Sequence, residues 1–336
     1  MLNFAIIGCG RISKNHIEAL INNSDNCNLV VLCDIVENKA IERKRQYENT
    51  IEGTNVKVYT DYIQMLQNED IDAVSICTES GYHAKIAVDC LNYGKHILIE
   101  KPMALSLEDA DKIIDLGKQK KLKVGVCHQN RFNPPVQKLR RAVEEGRFGK
   151  IINGTARILW TRDQNYYNQA PWRGTKALDG GTLMNQCIHN IDLLQWMMGS
   201  EVERVHCERG TFLRNIEMED FGAILIRFKN GSIGIVEGSA CVYPKNLEET
   251  LSIFGENGTV VIGGLAVNKI QTWQFADERD YDKEDGSTEV DSVYGKGHTP
   301  LYKDFVGAIR DNMEPYINGE GGKKALEIII RAYDNA

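Results

Sequence analysis

Three stretches of the chain carry residue types and spacings that can do chemistry. The first is Gly8–Cys9–Gly10–Arg11–Ile12–Ser13. It ends an apolar run and opens a helix-spaced segment. The first glycine permits a tight turn, and the second lets the backbone come close to a pyrophosphate. The free N–H groups and positive dipole end of the helix then attract that anion. Ser13 stands where a third glycine is common and is small enough for close helix–strand packing. Asp34 closes the next apolar run. An acid there accepts from ribose hydroxyls and repels a 2′-phosphate, which expects NAD rather than NADP.

The second stretch is a pair of strand-end segments, Thr78–Glu79–Ser80–Gly81–Tyr82–His83 and Glu100–Lys101–Pro102. In open parallel sheets, ligands collect beyond the carboxyl ends of strands. A lysine between an acid and a proline just past an apolar strand is therefore aimed at chemistry, and Pro102 is expected as a cis-proline that sets its direction. The third stretch holds Asn185, His189, Asp192 and Trp196, spaced four, three and four apart. On a continuous helix they share one face. Gly180–Gly181 just before them lets the backbone approach a ligand. The plainer reading of that face is a core histidine capped by Asp192.

These residues need a scaffold, and the first third of the chain supplies an alternating one. Apolar runs at 4–7, 29–33, 56–59, 73–77, 96–99 and 122–127 read as strands. Segments 12–20, 37–49, 61–68, 83–92 and 107–120 read as helices, with Asp61 at a cap. Strands with continuous apolar runs, separated by helices, expect a parallel sheet covered on both faces. Beyond about residue 124 the pattern changes. Strands are expected at 157–161, 223–228, 233–239, 249–254 and 259–262, with hairpin-type turns at Asn230–Gly231 and Asn257–Gly258. That is an antiparallel or mixed sheet. The charged stretch 277–291 reads as a long exposed loop or lid, and 323–333 as a last helix.

Composition limits the partners. The chain has 336 residues, enough for about two domains at roughly 150 residues each. With 40 basic against 47 acidic side chains the net charge is −7, so nucleic acid and anionic membrane surfaces are not expected as partners. No stretch approaches the ~20 apolar residues of a membrane span. Arg11 and Lys14 interrupt the first apolar run, which does not read as a secretory signal. The nine cysteines, at 9, 27, 33, 77, 90, 127, 187, 207 and 241, form no C-x-x-C pair. They read as buried reduced thiols, without a metal site, and expect a cytoplasmic protein.

Gly8–Cys9–Gly10–Arg11–Ile12, the run 94–102 ending in Glu100–Lys101–Pro102, Asn130–Arg131–Phe132–Asn133–Pro134 and the run 180–194 occur in this order over essentially the whole chain. Together they resemble the glucose–fructose oxidoreductase / inositol dehydrogenase (Gfo/Idh/MocA) family. The resemblance implies an α/β protein: an N-terminal Rossmann domain with a parallel sheet at 1–123, then a C-terminal α+β domain with a large mixed or antiparallel open sheet at 124–336. It also implies pairing across subunits, as a homo-dimer or homo-tetramer. Trp160–Thr161–Arg162, Trp172–Arg173–Gly174–Thr175, Tyr243–Pro244–Lys245–Asn246–Leu247–Glu248 and Ser292–Val293–Tyr294–Gly295–Lys296–Gly297–His298 are similar to a narrower set of members. Those oxidise C3 of a UDP-linked acetamido sugar acid, a step toward diacetamido-uronic acids of bacterial surface polysaccharides.

Carried onto this chain, the cofactor-binding set is Gly8, Gly10, Arg11, Ile12, Asp34, Thr78, His83, Glu100 and Lys101, for NAD. The substrate set is Arg162, Tyr166, Tyr167, Arg173, Asn185, His189, Lys245, Asn246 and His298. Arginine forks suit a pyrophosphate and a carboxylate, and the tyrosines suit a uracil or sugar ring. Lys101, His189 and Asn185 form the catalytic set. Oxidising a secondary alcohol needs a base for the hydroxyl proton, and an imidazole with its ordinary pKa near ~6.5 serves. His189 is read as that base and Lys101 as the group that holds and polarises the oxygen; the reverse assignment stays open. Two departures stand out. The family's Thr-Pro-Asn is here Thr78–Glu79–Ser80, and its aspartate four residues before the histidine is Asn185. The competing readings are a dehydrogenase of a free polyol such as inositol, and a catalytically silent NAD-binding regulator.

Overall fold

The computed structural model describes residues 1–290 and 293–335. Asp291, the last residue of the expected lid, and Ser292, the first of the 292–298 motif, lie outside the described residues, as does Ala336. The chain separates into two compact units, Met1–His128 with His298–Lys323, and Gln129–Gly297 with Lys324–Ala336. A single cut at 123/124 was expected. The difference is the return of residues 298–323 to the first unit. There the helix His298–Arg310 packs Tyr302 and Phe305 against Phe4. That contact spans almost the whole chain, so no local pattern announces it.

In the first unit, β1 (Leu2–Ile7), α1 (Ser13–Asn22), β2 (Cys27–Cys33), α2 (Glu37–Glu48), β3 (Lys57–Tyr59), α3 (Tyr62–Asn68), β4 (Ala73–Ile76), α4 (Ser80–Asn92), β5 (His96–Ile99), α5 (Leu107–Lys120) and β6 (Val124–Val126) follow one another. All six strands are parallel, in the order β3-β2-β1-β4-β5-β6. The order reverses at β1, so the carboxyl ends of β1 and β4 open beside each other, and ligands gather at such a switch point. β4 and β5 are buried along nearly their whole length, as a doubly covered sheet requires. Asp61 caps α3, accepting from the N–H groups of Ile63 and Gln64. Among the boundaries that differ from expectation, α4 begins at Ser80 and not at His83, so His83 sits within its first turn.

The second unit holds α6 (Pro134–Glu144), β7 (Ile151–Leu159), α7 (Gln164–Asn168), α8 (Thr182–Asn185), α9 (Ile188–Met198), β8 (Val202–Gly210), β9 (Phe221–Phe228), β10 (Ile233–Ser239), β11 (Glu248–Gly255), β12 (Gly258–Gly263) and β13 (Lys269–Phe275). The sheet order is β13-β12-β11-β7-β10-β9-β8. β7 and β10 run parallel and the other neighbours antiparallel, so the sheet is mixed. Asn230–Gly231 and Asn257–Gly258 do turn between β9 and β10 and between β11 and β12. β8 and β13 were not expected. They are the two edge strands, rich in charged and polar residues because each has only one neighbour. α10 is His298–Arg310, and α11 (Gly319–Asp334) is longer than the expected 323–333.

The described part of 277–291 is largely exposed, as expected, but it is anchored to the rest of the unit at a few residues. Arg147, whose side chain is fully buried, donates to Asp277 and to both oxygens of Asp282. Trp273 donates to Asp282, and Tyr281, buried, donates to Glu145. Arginines pair with Asp277 and Asp282, while Glu278, Asp280, Glu284 and Asp285 stay exposed. All nine cysteines are reduced, and eight are buried. Among the described residues no helix is long and apolar enough to cross a membrane.

Candidate active site

The glycine loop lies where β1 meets α1. Gly8 has φ +93°, and a Cβ there would stand 2.6 Å from the Cys77 carbonyl carbon. Only glycine lets the ends of β1 and β4 approach so closely. Gly10 is the opposite case: nothing lies within 4 Å of where its Cβ would be. That leaves an open cradle at the N-terminus of α1, where a diphosphate fits. Asp34 accepts from the Cys9 N–H at 2.7 Å and the Val36 N–H at 2.8 Å. Its carboxylate is thus held beside the loop and remains half-exposed. Arg11 is exposed and Ile12 half-buried at the same turn. These residues fit a dinucleotide. Gly8→Ala is expected to abolish NADH binding in a fluorescence titration and to lower the melting temperature. The positive φ alone costs ~1–2 kcal/mol for a non-glycine residue, before the clash with the Cys77 peptide is counted.

The next two strand ends are tied together. His83 is buried, with Nδ1 2.7 Å from the Pro102 carbonyl oxygen and Nε2 3.0 Å from that of Thr78. Burial lowers its pKa, against the pull of those two carbonyls. The structure therefore makes His83 a clamp between the β4 and β5 loops. The Lys101–Pro102 peptide is cis, as expected.

Glu100 is the hub of a buried chain. Ser75 donates to Tyr302 at 2.5 Å, Tyr302 to His16 Nδ1 at 2.8 Å, and His16 Nε2 to Glu100 at 2.9 Å. Each link has a donor with His16 neutral, in line with the direction in which burial lowers its pKa. Burial would raise the Glu100 carboxyl, yet the hydrogen bond from His16 and the neighbouring His298 imidazole hold it well below the usual carboxylate range. Its other oxygen accepts the Lys101 N–H at 3.2 Å. Glu100 thereby fixes the backbone from which the half-exposed Lys101 side chain projects. His298, expected as a substrate contact, is buried in this first unit with Nε2 3.5 Å from Glu100.

In the second unit, most of the expected substrate residues converge. The Arg162 guanidinium lies 4.7 Å from the Trp160 ring and 5.2 Å from Tyr166. The Arg173 guanidinium lies 4.1 Å from Tyr166 and 4.9 Å from Trp172. Two cations thus share one tyrosine ring, and among the described residues the buried Nε of each has no hydrogen-bond partner. Tyr167 packs edge-on against Tyr166. Asn246 accepts from the Thr161 N–H and from Arg162. Gln186 bridges the Tyr166 hydroxyl and the Asn185 oxygen. Asn185 in turn donates to Asp179, which accepts the Gly174 N–H at 2.6 Å. Lys245 is exposed.

The expected single helix face does not exist as such. α8 ends at Asn185 and α9 restarts at Ile188, with Cys187 as its N-cap. At the break the Cys187 N–H reaches the Thr182 carbonyl, five residues back, and the Cys187 thiol packs against Gly238 on β10. Asn185 and His189 therefore belong to different helices. His189 is half-buried in the first turn of α9. Asp192 lies on the same helix as His189. It is fully buried and receives both Arg131 Nε at 2.7 Å and Nη2 at 2.5 Å.

Sequence reasoning passed over three further residues. Asp179 is one. Glu219, buried, accepts from the Leu183 N–H and the Tyr333 hydroxyl and so braces the start of α8. Glu249, buried on β11, is the third; burial pushes its carboxyl up to about 8, against Asn190 and Arg162. The alternation of β11 places Glu249 inward, and that was its only signal. From pH 4.5 to about 8 the folded chain keeps a proton that the unfolded chain has lost. Folding stability from this group therefore falls as pH rises through the window and levels off above it. Relative to wild type, Glu249→Gln should flatten the decline of melting temperature from pH 5 to 8, a change of up to about 1.4 kcal/mol per pH unit.

The chain matches the oxidoreductase family with NAD-binding Rossmann fold over residues 2–128 and the GFO/IDH/MocA C-terminal domain over 136–261. It is similar to the WlbA dehydrogenase of Bordetella pertussis, solved in complex with NADH and UDP-GlcNAcA. The two are 37% identical with a TM-score of 0.92, covering 100% of this chain and 95% of that one. The myo-inositol 2-dehydrogenase of Thermotoga maritima is 27% identical, over 97% of this chain and 93% of that protein. The scyllo-inositol 2-dehydrogenase (NAD(+)) of Bacillus subtilis is 29% identical, over 78% and 73%. With both halves matched and a cofactor loop whose geometry fits a dinucleotide, the chain belongs to the GFO/IDH/MocA family of oxidoreductases and uses NAD.

Proposed function

We propose that the chain uses NAD to oxidise the C3 hydroxyl of a UDP-linked acetamido sugar acid. The observation that carries this reading is the convergence of Arg162 and Arg173 on Tyr166, each with an Nε that no group among the described residues satisfies. A buried donor without a partner costs free energy unless a ligand supplies the acceptor. A nucleotide sugar acid brings both a pyrophosphate and a carboxylate, the planar anions that guanidinium forks match. A free polyol brings neither. The likeness to a dehydrogenase solved with UDP-GlcNAcA supports the same reading.

In this proposal His189 takes the hydroxyl proton, and Lys101 holds and polarises the oxygen that loses it. The reverse assignment is the alternative. NAD, when bound, accepts the hydride. Asn185 brings no charge, so it leaves His189 easier to deprotonate than an aspartate would, which suits a base that starts neutral. Glu100, His16, His83 and His298 hold the backbone around Lys101. The place in surface-polysaccharide synthesis, the cytoplasmic site and a homo-dimer or homo-tetramer belong to the same proposal.

The second reading, oxidation of a free cyclitol, draws on the likeness to the inositol dehydrogenases. Calorimetry with UDP separates the two, followed by a turnover panel of UDP-GlcNAcA and myo-inositol read at the NADH absorbance. UDP should bind, and Arg162→Ala or Arg173→Ala should weaken it roughly ten- to a hundredfold, the loss of a charge-assisted hydrogen bond. No UDP binding, together with turnover of myo-inositol, would sink the first reading.

A further inference from the structure

The geometry points to Asp179 as a positioning residue that makes Asn185 act as an acceptor and ties it to the Arg173 loop. The inference rests on the substrate reading above and deepens it. Asp179 is only 4% exposed. A buried carboxylate is tolerated where donors surround it, and here two come from different places. One oxygen accepts the Gly174 N–H at 2.6 Å, next to Arg173. The other accepts from the Asn185 side-chain amide.

The consequence for Asn185 is directional. A carboxamide has an acceptor end and a donor end. Because Asp179 takes the N–H end, the oxygen is the end left for the rest of the site. That oxygen accepts from Gln186, whose amide also reaches the Tyr166 hydroxyl between the two arginines. Family members commonly carry an aspartate at this position, which can only accept when ionised. Asn185 backed by Asp179 keeps that acceptor and moves the negative charge one link further away. A neutral amide at 179 would present an N–H to Asn185, which would turn over and offer its donor end instead. The same carboxylate holds Gly174, so the orientation of Asn185 and the placing of the Arg173 loop depend on one group.

A swap experiment on the full-length enzyme tests this. Asp179→Asn should lower kcat with UDP-GlcNAcA at least about tenfold, the scale of one misplaced charge-assisted hydrogen bond. Asn185→Asp puts two carboxylates in contact. They must share a proton, so its activity should be low at alkaline pH and rise as the pH falls, unlike wild type. The double exchange D179N/N185D restores one acid and one amide. The new amide oxygen still accepts from Gly174 and its N–H donates to the new carboxylate. It should recover at least about half of the lost activity on a logarithmic scale, with a wild-type pH profile. Melting curves for all four proteins confirm that each is folded at the assay temperature. The inference is overturned if Asp179→Asn keeps kcat within about twofold of wild type, or if the exchange is no more active than the weaker single variant. Wild-type turnover of myo-inositol but not UDP-GlcNAcA would overturn the substrate reading instead; the four-way comparison, made on myo-inositol, would then decide the role of Asp179.

Discussion

Replacing His189 by alanine is expected to lower NAD-dependent turnover by roughly 10²–10⁴-fold, the range over which a positioned acid or base accelerates proton transfer. Lys101→Ala should cost a similar factor. The two losses are predicted to differ in form. His189 belongs to the second unit and is not one of the expected cofactor-binding residues, so its variant should bind NADH as wild type does. Lys101 follows Glu100, whose carboxylate holds the Lys101 N–H, so its removal strips the side chain and leaves that anchor in place. The pH profile of kcat/KM separates the two assignments. If His189 is the base, the acid limb disappears in His189→Ala and survives in Lys101→Ala; if Lys101 is the base, the pattern inverts. Near-normal turnover in both variants would exclude the pair as catalytic.

The largest effect on stability is expected at Arg131 and Asp192. Both are buried, and the fork from Nε and Nη2 to the two carboxylate oxygens is bidentate. Arg131 also lies 4.9 Å from the Trp196 ring. Asp192→Ala leaves a guanidinium in the interior without its carboxylate, which costs about 3–5 kcal/mol. Asp192→Asn keeps the shape but not the charge and should cost less. Replacing both partners by apolar residues of similar volume should recover much of the loss, because the pair pays desolvation that an apolar pair does not. Urea unfolding of the second unit, followed by Trp196 fluorescence, measures all three. Equal stability of Asp192→Ala and wild type would show that this ion pair does not brace α9.

The edges of the second sheet and the break between α8 and α9 show where local reading stops. β8 and β13 look like surface segments because each offers one side to solvent, and their alternation is masked by charge. The spacing 185, 189, 192, 196 is helical, yet the hydrogen-bond pattern slips at Cys187, whose N–H reaches back to Thr182. The segment near 277–282 reads as solvated acid until Arg147 is brought beneath it. In that last case a residue distant in the chain overrides the local pattern.

The sequence by itself determined the parallel sheet, its glycine loop and Asp34, the cis Lys101–Pro102 turn and the two Asn-Gly hairpins. These are written in hydrophobic period and in turn residues whose backbone needs are local. It also determined which cations to watch, through the stretches around Arg162 and Arg173. What long-range packing added is that these two arginines share Tyr166, that Asn185 donates to Asp179, that Asp192 pairs with Arg131, and that His298 lies beside Glu100. The reason is physical. Period and propensity report which face of an element is buried, but a buried polar group must find its partner wherever the fold brings one, and that partner is set by long-range packing rather than by neighbours in the chain.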